Sequence, residues 1–217
     1  MQILSFRNGF ASDHSSTSYQ FLAVDKTLGK KEKEEVAALP VSAAPSARRA
    51  RFIFPGEEGD IPVGWLDLMA SYYDVMYREE YDWWTLAVAF NATKEKIAEL
   101  QAYACTDGNG AGVSICRRGN RAIVAVDCWI DFGSVMDSYD ESEEDYTDIQ
   151  TAKFTVKDNL LRLLMQVRRQ LIAGDYRALY AVLEAYDICD EEIVPVPPAR
   201  VAGQGIVDQL RSILVIL

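Results

Sequence analysis

The segment GVSICR (112–117), followed by RAIVAVDCW (121–129), decides the fold class of this 217-residue chain. Apolar and polar residues alternate along both halves, and Arg118, Gly119 and Asn120 join them. Alternation with a period of two on either side of a glycine-containing turn is typical of a β-hairpin. The sequence therefore predicts two antiparallel strands and a sheet to which they belong.

Three more strands are predicted on the N-terminal side of this hairpin. TSYQFLAVD (17–25) is rich in aromatic and aliphatic residues, and ARRARFIF (47–54) is closed by a Pro-Gly pair. WWTLAVAF (83–90) is almost continuously apolar, which indicates a strand buried on both faces. Its neighbours Trp83 and Trp84 should point to opposite faces, one into the core and the other outward.

Helices are predicted between these strands. LGKKEKEEVAAL (28–39) is a short, solvated helix, and Thr93 can cap another helix with a buried stripe at Ile97 and Leu100. Residues 62–79 also have a helical spacing of three and four between large apolar side chains, namely Trp65, Met69, Tyr72, Tyr73 and Met76.

The chain changes character after the hairpin. DSYDESEEDYTD (137–148) holds seven carboxylates and should be a solvated loop. Residues 154–172 and a second segment that begins at Asp175 have helical apolar faces, which predicts a helical hairpin. The last helix ends on ILVIL (213–217), and we expect it to pack on this hairpin; association with a partner or a second copy is the alternative.

Together these elements predict an α+β fold. It has a mixed or mainly antiparallel sheet of about five strands with helices on one face, plus a C-terminal helical hairpin. The expected organisation is an α+β domain over 1–136, an acidic loop over 137–150, and a C-terminal helical subdomain over 151–217 that packs on the same core.

Composition narrows the class of protein. The chain is 49% hydrophobic and 11% aromatic, and it has no apolar run of membrane-spanning length, so we expect a soluble globular protein. The start MQILSFRNGFAS (1–12) lacks the pattern of a secretory signal, which favours a cytoplasmic location. A net charge of −11 disfavours general binding to nucleic acid and gives no sign of a membrane partner.

The sequence contains no complete catalytic, metal-binding or cofactor-binding constellation. His14 is the only histidine, and Asp13 and Ser15 beside it cannot form a triad with it, because neighbours in an extended chain point to opposite faces. No CxxC pair occurs among the four cysteines, so reduced thiols are expected at Cys105, Cys116, Cys128 and Cys189. A metal-dependent nuclease would have to draw its carboxylates from Glu79, Glu80, Asp82 and Asp127.

Two charged segments are candidate docking sites for a partner. If the strands that carry them are neighbours, one basic patch comprises Arg48, Arg49, Arg51, Arg117, Arg118 and Arg121. Pairing of these arginines with nearby carboxylates is the alternative. An acidic docking strip comprises Asp137, Asp140, Glu141, Glu143, Glu144, Asp145 and Asp148.

Four stretches of the chain resemble landmarks of an uncharacterised bacterial protein family, in the same order. They are SSTSYQFLAVD (15–25), LMASYYDVMY (68–77), GDYRALY (174–180) and VPVPP (194–198). A second tryptophan, Trp84, stands where that family has a glycine. The overall character of the chain is also similar to accessory proteins of prokaryotic CRISPR-type defence loci. The resemblance implies no activity.

These observations favour a non-enzymatic protein-binding or adaptor protein of a bacterial cytoplasmic system, with a protein partner, no cofactor, and self-association through the C-terminal helix as an option. An accessory protein of an antiviral defence system is one example of such a protein. The alternative is a metal-dependent enzyme that acts on nucleic acid.

Overall fold

A computed structural model describes residues 16–39, 45–55, 60–80, 83–129, 148–188 and 194–214. His14, Asp82, Cys189 and residues 137–147 of the acidic strip lie outside these ranges, so the predictions made for them stay predictions.

Within these ranges, seven antiparallel strands form one sheet in the spatial order β2-β1-β3-β4-β7-β6-β5. The strands are β1 (Ser16–Leu22), β2 (Arg49–Pro55), β3 (Val75–Glu80), β4 (Trp83–Asn91), β5 (Cys105–Thr106), β6 (Gly112–Arg118) and β7 (Arg121–Trp129). The α+β class and an antiparallel sheet are thus confirmed, whereas the expected number of about five strands is wrong, because β3 and the two-residue strand β5 also belong to the sheet.

The predicted hairpin is formed by β6 and β7. Arg118 lies opposite Arg121, and Gly119 between them has a φ of 60°, a conformation that glycine adopts without strain. β7 then pairs with β4 along its whole length, from Arg121 opposite Asn91 to Trp129 opposite Trp83. Since β4 and β7 lie at the centre of the sheet, both are buried over most of their length, as the apolar run in β4 predicts.

The single helix predicted over residues 62–79 is wrong. A short helix, α2 (Trp65–Ser71), ends there, and the chain then forms β3 between β1 and β4. Along β3, Val75 and Tyr77 point to one face and Met76 to the other. The tertiary pairing on both sides of this strand outweighs the helical spacing of its apolar residues.

Six helices lie in the described part of the chain, and they cover both faces of the sheet. On one face, termed the α2 face, α1 (Lys30–Ala37) and α2 pack against residues such as Phe21, Ala87 and Ala125. On the other, termed the α4 face, pack α3 (Lys94–Gln101), α4 (Asp148–Ile172), α5 (Arg177–Ala185) and α6 (Gln204–Ile213). The expected placement of helices on one face is therefore wrong, since alternate residues of the central strands are apolar on both sides.

The C-terminal helix packs within the chain. Val207, Leu210 and Leu214 are buried, and Leu210 and Leu214 belong to the same cluster as Leu164 of α4 and Leu179 of α5. Of the apolar tail, the described residue Leu214 packs within the chain, and the prediction for the other four residues of ILVIL stays a prediction. Helix α4 begins at Asp148, before the boundary expected at residue 151, and so includes the last residue of the acidic strip.

A buried ionic network ties α4 to the sheet. Asp74, which is 2% exposed, accepts hydrogen bonds from the backbone N–H groups of Val24 and Asp25 at 2.7 and 3.0 Å. Its other oxygen accepts a hydrogen bond from Arg121 at 2.5 Å and lies 3.7 Å from Arg168 of α4. Arg168 in turn donates to the Ala89 carbonyl and to Asp25. These buried charges are all paired, as a low-dielectric interior requires.

Within the described ranges, no helix has both the length and the apolar character needed to cross a membrane.

Candidate functional site

The arginines of the expected basic patch do not lie on neighbouring strands. Arg49 and Arg51 are on the edge strand β2, whereas Arg117, Arg118 and Arg121 are on β6 and β7. Three strands separate β2 from β7, so about 19 Å lie between them at the usual strand spacing. The condition for a single patch is therefore not met by the sheet.

Several of these arginines contact other groups in the fold. Arg121 donates to Asp74, and Arg48 donates to the carbonyls of Ala23 and Val24 at 3.1 and 2.9 Å. Arg117 donates to the Gly119 carbonyl, and Arg118 lies 3.9 Å from Asp67. Arg51 is exposed on β2, and a docking role for it stays a prediction.

The carboxylates of the nuclease alternative are divided between the two faces of the sheet. Glu79 is 1% exposed on the α4 face, where Ser18 donates a hydrogen bond to it. Glu80 and Asp127 lie on the α2 face. The described residues contain no group of three or more histidine, cysteine, aspartate or glutamate side chains that a metal ion could bridge.

The strand register brings a different set of side chains together on the α2 face. Tyr19, Arg78, Thr85 and Asp127 are directly opposite one another on β1, β3, β4 and β7, so they form one row across the sheet. The next row toward the end of the sheet contains Glu80, Trp83 and Trp129. We call the partly exposed residues of these rows the sheet-end patch; they are Arg78, Glu80, Trp83, Asp127 and Trp129.

The patch begins where the buried apolar rows end. The preceding row on this face includes Met76, Ala87 and Ala125, which are buried in the cluster that contains Leu68 and Met69 of α2. In the patch itself, Trp129 is 37% exposed. Charged and aromatic side chains thus replace aliphatic ones on the same three central strands.

Asp127 is held in a partly buried position. Thr85, itself buried, donates a hydrogen bond to one Asp127 oxygen at 2.7 Å. Burial raises the pKa of the Asp127 carboxyl, while the Thr85 hydrogen bond and the positive charge of Arg78 act in the opposite direction. The desolvation effect is the largest, so the charged carboxylate is incompletely compensated by its surroundings.

Arg78 lies at the centre of the patch. It forms an ion pair with Glu80 on its own strand, and its guanidinium carbon lies 5.7 Å from the centre of the Tyr19 ring. Tyr19 in turn donates a hydrogen bond to Asp60 at 2.7 Å, and burial together with this carboxylate raises the pKa of the tyrosine. Arg78 is thereby fixed in place between an acid and an aromatic ring.

Trp83 and Trp129 form the aromatic part of the patch. Their ring centres are 5.0 Å apart and the planes make an angle of 83°, an edge-to-face contact. The sequence prediction for the Trp83–Trp84 pair is confirmed, because Trp84 is fully buried on the α4 face while Trp83 is half-buried in the patch. The second exposed tryptophan, Trp129, comes from the end of β7.

The sequence indicates Asp127 as a candidate site residue but not the residues that surround it. Because the spacing of apolar residues predicts a helix that includes residues 75–79, the sequence gives no sign that Arg78 and Glu80 share a sheet face with Thr85 and Trp83. VMYREE (75–80) has three apolar residues followed by three charged ones, so no alternation of apolar and polar residues marks this strand in the sequence.

Among the described residues, the sheet-end patch is thus a partly exposed surface with a net negative charge, two tryptophans and a fixed arginine. Comparison of the chain with models of known protein families gave no match, and no curated protein matched it either.

Proposed function

We propose that this chain is a non-enzymatic protein-binding protein that captures a basic segment of a partner on the sheet-end patch. The observation that carries the proposal is the contact between half-buried Trp83 and exposed Trp129, beside two carboxylates on the central strands.

The residue types of the patch support a protein interface. Tryptophan, tyrosine and arginine are the side chains that most often dominate the binding energy of such interfaces. Here Trp129 is 37% exposed, and Arg78 is fixed over Tyr19. These side chains are already ordered by contacts with each other, so they would lose little conformational entropy when a partner binds.

The charges support a basic partner. Asp127 and Glu80 outnumber Arg78 in the patch, and the chain as a whole carries a net charge of −11. Burial destabilises the charged form of Asp127. A lysine or arginine of the partner placed beside this carboxylate would stabilise the charged form. The same cation would lie near the tryptophan rings, where a cation–π contact contributes about 0.5–2 kcal/mol.

Binding of a defined peptide tests this proposal. A fluorescein-labelled peptide of alternating arginine and glycine is titrated with the full chain and followed by fluorescence anisotropy; a peptide with glutamate in place of arginine is the charge control. We expect the basic peptide to bind and Trp129→Ala to weaken it by about tenfold, the effect of losing roughly 1.4 kcal/mol.

Two variants elsewhere on the surface are matched controls. Ile53→Ala removes an apolar side chain that is 42% exposed on the edge strand β2. Asp67→Asn removes an exposed carboxylate on α2. Neither should change the affinity. Equal binding of the acidic peptide, or an affinity that Trp129→Ala and Ile53→Ala change equally, would contradict the proposal.

Membership of a CRISPR-type defence system stays a prediction, as does the alternative of a metal-dependent enzyme acting on nucleic acid. Incubation of the chain with single- and double-stranded nucleic acid and Mn²⁺ tests that alternative, with Asp127→Asn as the variant that should abolish any cleavage.

A further inference from the structure

An exposed proline-rich segment connects α5 to α6. Residues 195–200 (PVPPAR) form neither helix nor strand, and Pro195, Pro198 and Arg200 are exposed. Val196 is 64% exposed, although valine side chains are usually buried in folded proteins. Val194, immediately before the segment, is 4% exposed and anchors it to the cluster on the α4 face.

The sequence restricts this segment to an extended conformation. Pro195, Pro197 and Pro198 each fix their own φ near the polyproline II value. The residue that precedes a proline is itself restricted to extended angles, which applies to Val194, Val196 and Pro197. In a polyproline II helix every third residue lies on the same side. Pro195 and Pro198 therefore share one side, and both are exposed, while Val194 and Pro197 share the more buried side.

A buried arginine fixes the far end of the segment. Arg177, which is 6% exposed, donates to both oxygens of Asp175 at 2.9 and 2.7 Å. Its remaining N–H groups donate to the carbonyls of Arg200 and Ala202 and to the side chain of Gln204. These bonds hold the backbone at Arg200 and Ala202, and Arg200 itself is exposed.

The end of the segment also depends on a glycine. Gly203 has a φ of 79°, and Gln170 of α4 donates to its carbonyl at 2.9 Å. An added Cβ at this position would come within 2.5 Å of the Gln170 side chain. The segment is thus held at both ends, at Val194 and at residues 200–203, with Pro195 and Pro198 exposed between them.

We propose that residues 195–200 are a docking ridge for a partner protein domain that binds polyproline II segments in an aromatic-lined groove with acidic residues at one end. The spacing Pro195-x-x-Pro198 is the spacing that such grooves accept. Arg200, two residues beyond, would pair with the acidic residues of the groove. This surface and the sheet-end patch select partners of opposite charge, so the ridge is a second docking site and does not depend on the first.

Pre-organisation favours this occupant. A flexible proline-rich peptide must be ordered when it binds, whereas this ridge is already extended and held by Arg177 and Val194. The exposed residues Pro195 and Pro198 lie on one side of the segment, where a narrow groove can contact both.

The test uses the full chain and a panel of purified polyproline-binding domains, some with acidic residues beside the aromatic groove and some without. Affinities are measured by isothermal titration calorimetry for the wild type, for the double variant Pro195→Ala/Pro198→Ala, and for Arg200→Ala. Pro62→Ala, which changes an exposed proline outside the segment, is the matched control.

We expect binding to the domains with acidic residues, a loss of about tenfold or more in the double variant, and a smaller loss in Arg200→Ala. Pro62→Ala should bind like the wild type, and all variants should keep the wild-type melting temperature. Failure of every domain to bind, or equal binding of the double variant, would overturn the proposal. So would a dimer in sedimentation experiments that the double variant dissociates, because the occupant would then be a second copy of this chain.

Discussion

Replacement of Asp74 by alanine should destabilise the protein by about 3–5 kcal/mol, the usual cost of breaking a buried ion pair. Asp74 accepts hydrogen bonds from the backbone N–H groups of Val24 and Asp25 and from Arg121. Each buried N–H left without an acceptor costs about 1–3 kcal/mol. Arg121 would keep its bond to the Tyr73 carbonyl, which limits the loss on that side.

Urea denaturation monitored by circular dichroism measures this change as a shift in the transition midpoint at constant slope. Asp74→Asn should cost less than alanine, because its carbonyl oxygen can still accept from both backbone N–H groups, which donate to the same oxygen of Asp74. The control is Asp67→Ala, since Asp67 is exposed and lies 3.9 Å from Arg118. A surface pair of this kind contributes about 1 kcal/mol at most. Equal losses for Asp74→Ala and Asp67→Ala would refute the structural role assigned to the network.

Three further outcomes are expected. Burial raises the pKa of Asp127 in the folded state, so the contribution of this carboxyl to stability is greatest at acidic pH and is lost as the pH rises through that pKa. Asp127→Asn should therefore raise the melting temperature at neutral pH and make the melting temperature less dependent on pH. A lowered melting temperature at neutral pH would contradict this. Leu164→Ala, beside a cavity of about 20 Å³ lined by aliphatic side chains, should cost about 2–5 kcal/mol in urea denaturation, whereas a loss below 1 kcal/mol would show that the site collapses around the change. Truncation after Arg211 removes the buried Leu214 and should lower the free energy of unfolding by about 2–5 kcal/mol; an unchanged midpoint would mean that the tail is not part of the core.

Local patterns predicted the strands that have a single dominant periodicity. The β6–β7 hairpin has apolar segments on both sides of the turn at Gly119, and β4 is almost continuously apolar, so both could be predicted directly from the sequence. β3 could not, because Tyr72, Tyr73 and Met76 happen to follow a helical spacing while Val75 and Tyr77 alternate as a strand.

The sheet-end patch depends on which strands are neighbours, and local sequence does not contain that information. Asp127 could be singled out as a polar residue in an alternating strand, but its proximity to Arg78 requires the order β3-β4-β7. The same limit applies to the arginines, since β2 lies at one edge of the sheet and β7 lies beyond three other strands. These residues come together because strands that are far apart in the sequence pair with each other, as β1 does with β3 and β4 does with β7. A pattern within one short segment does not specify such pairing.

The most direct test of the sheet-end patch follows the tryptophan side chains themselves. The chain has four tryptophans, and their indole N–H signals in a ¹H–¹⁵N NMR spectrum can be assigned with single Trp→Phe variants. Titration with the arginine–glycine peptide should shift the signals of Trp83 and Trp129, which form the patch, and leave that of Trp65 on α2 in place. Unchanged Trp83 and Trp129 signals, or a shift of Trp65 alone, would contradict the assignment of this surface as the binding site.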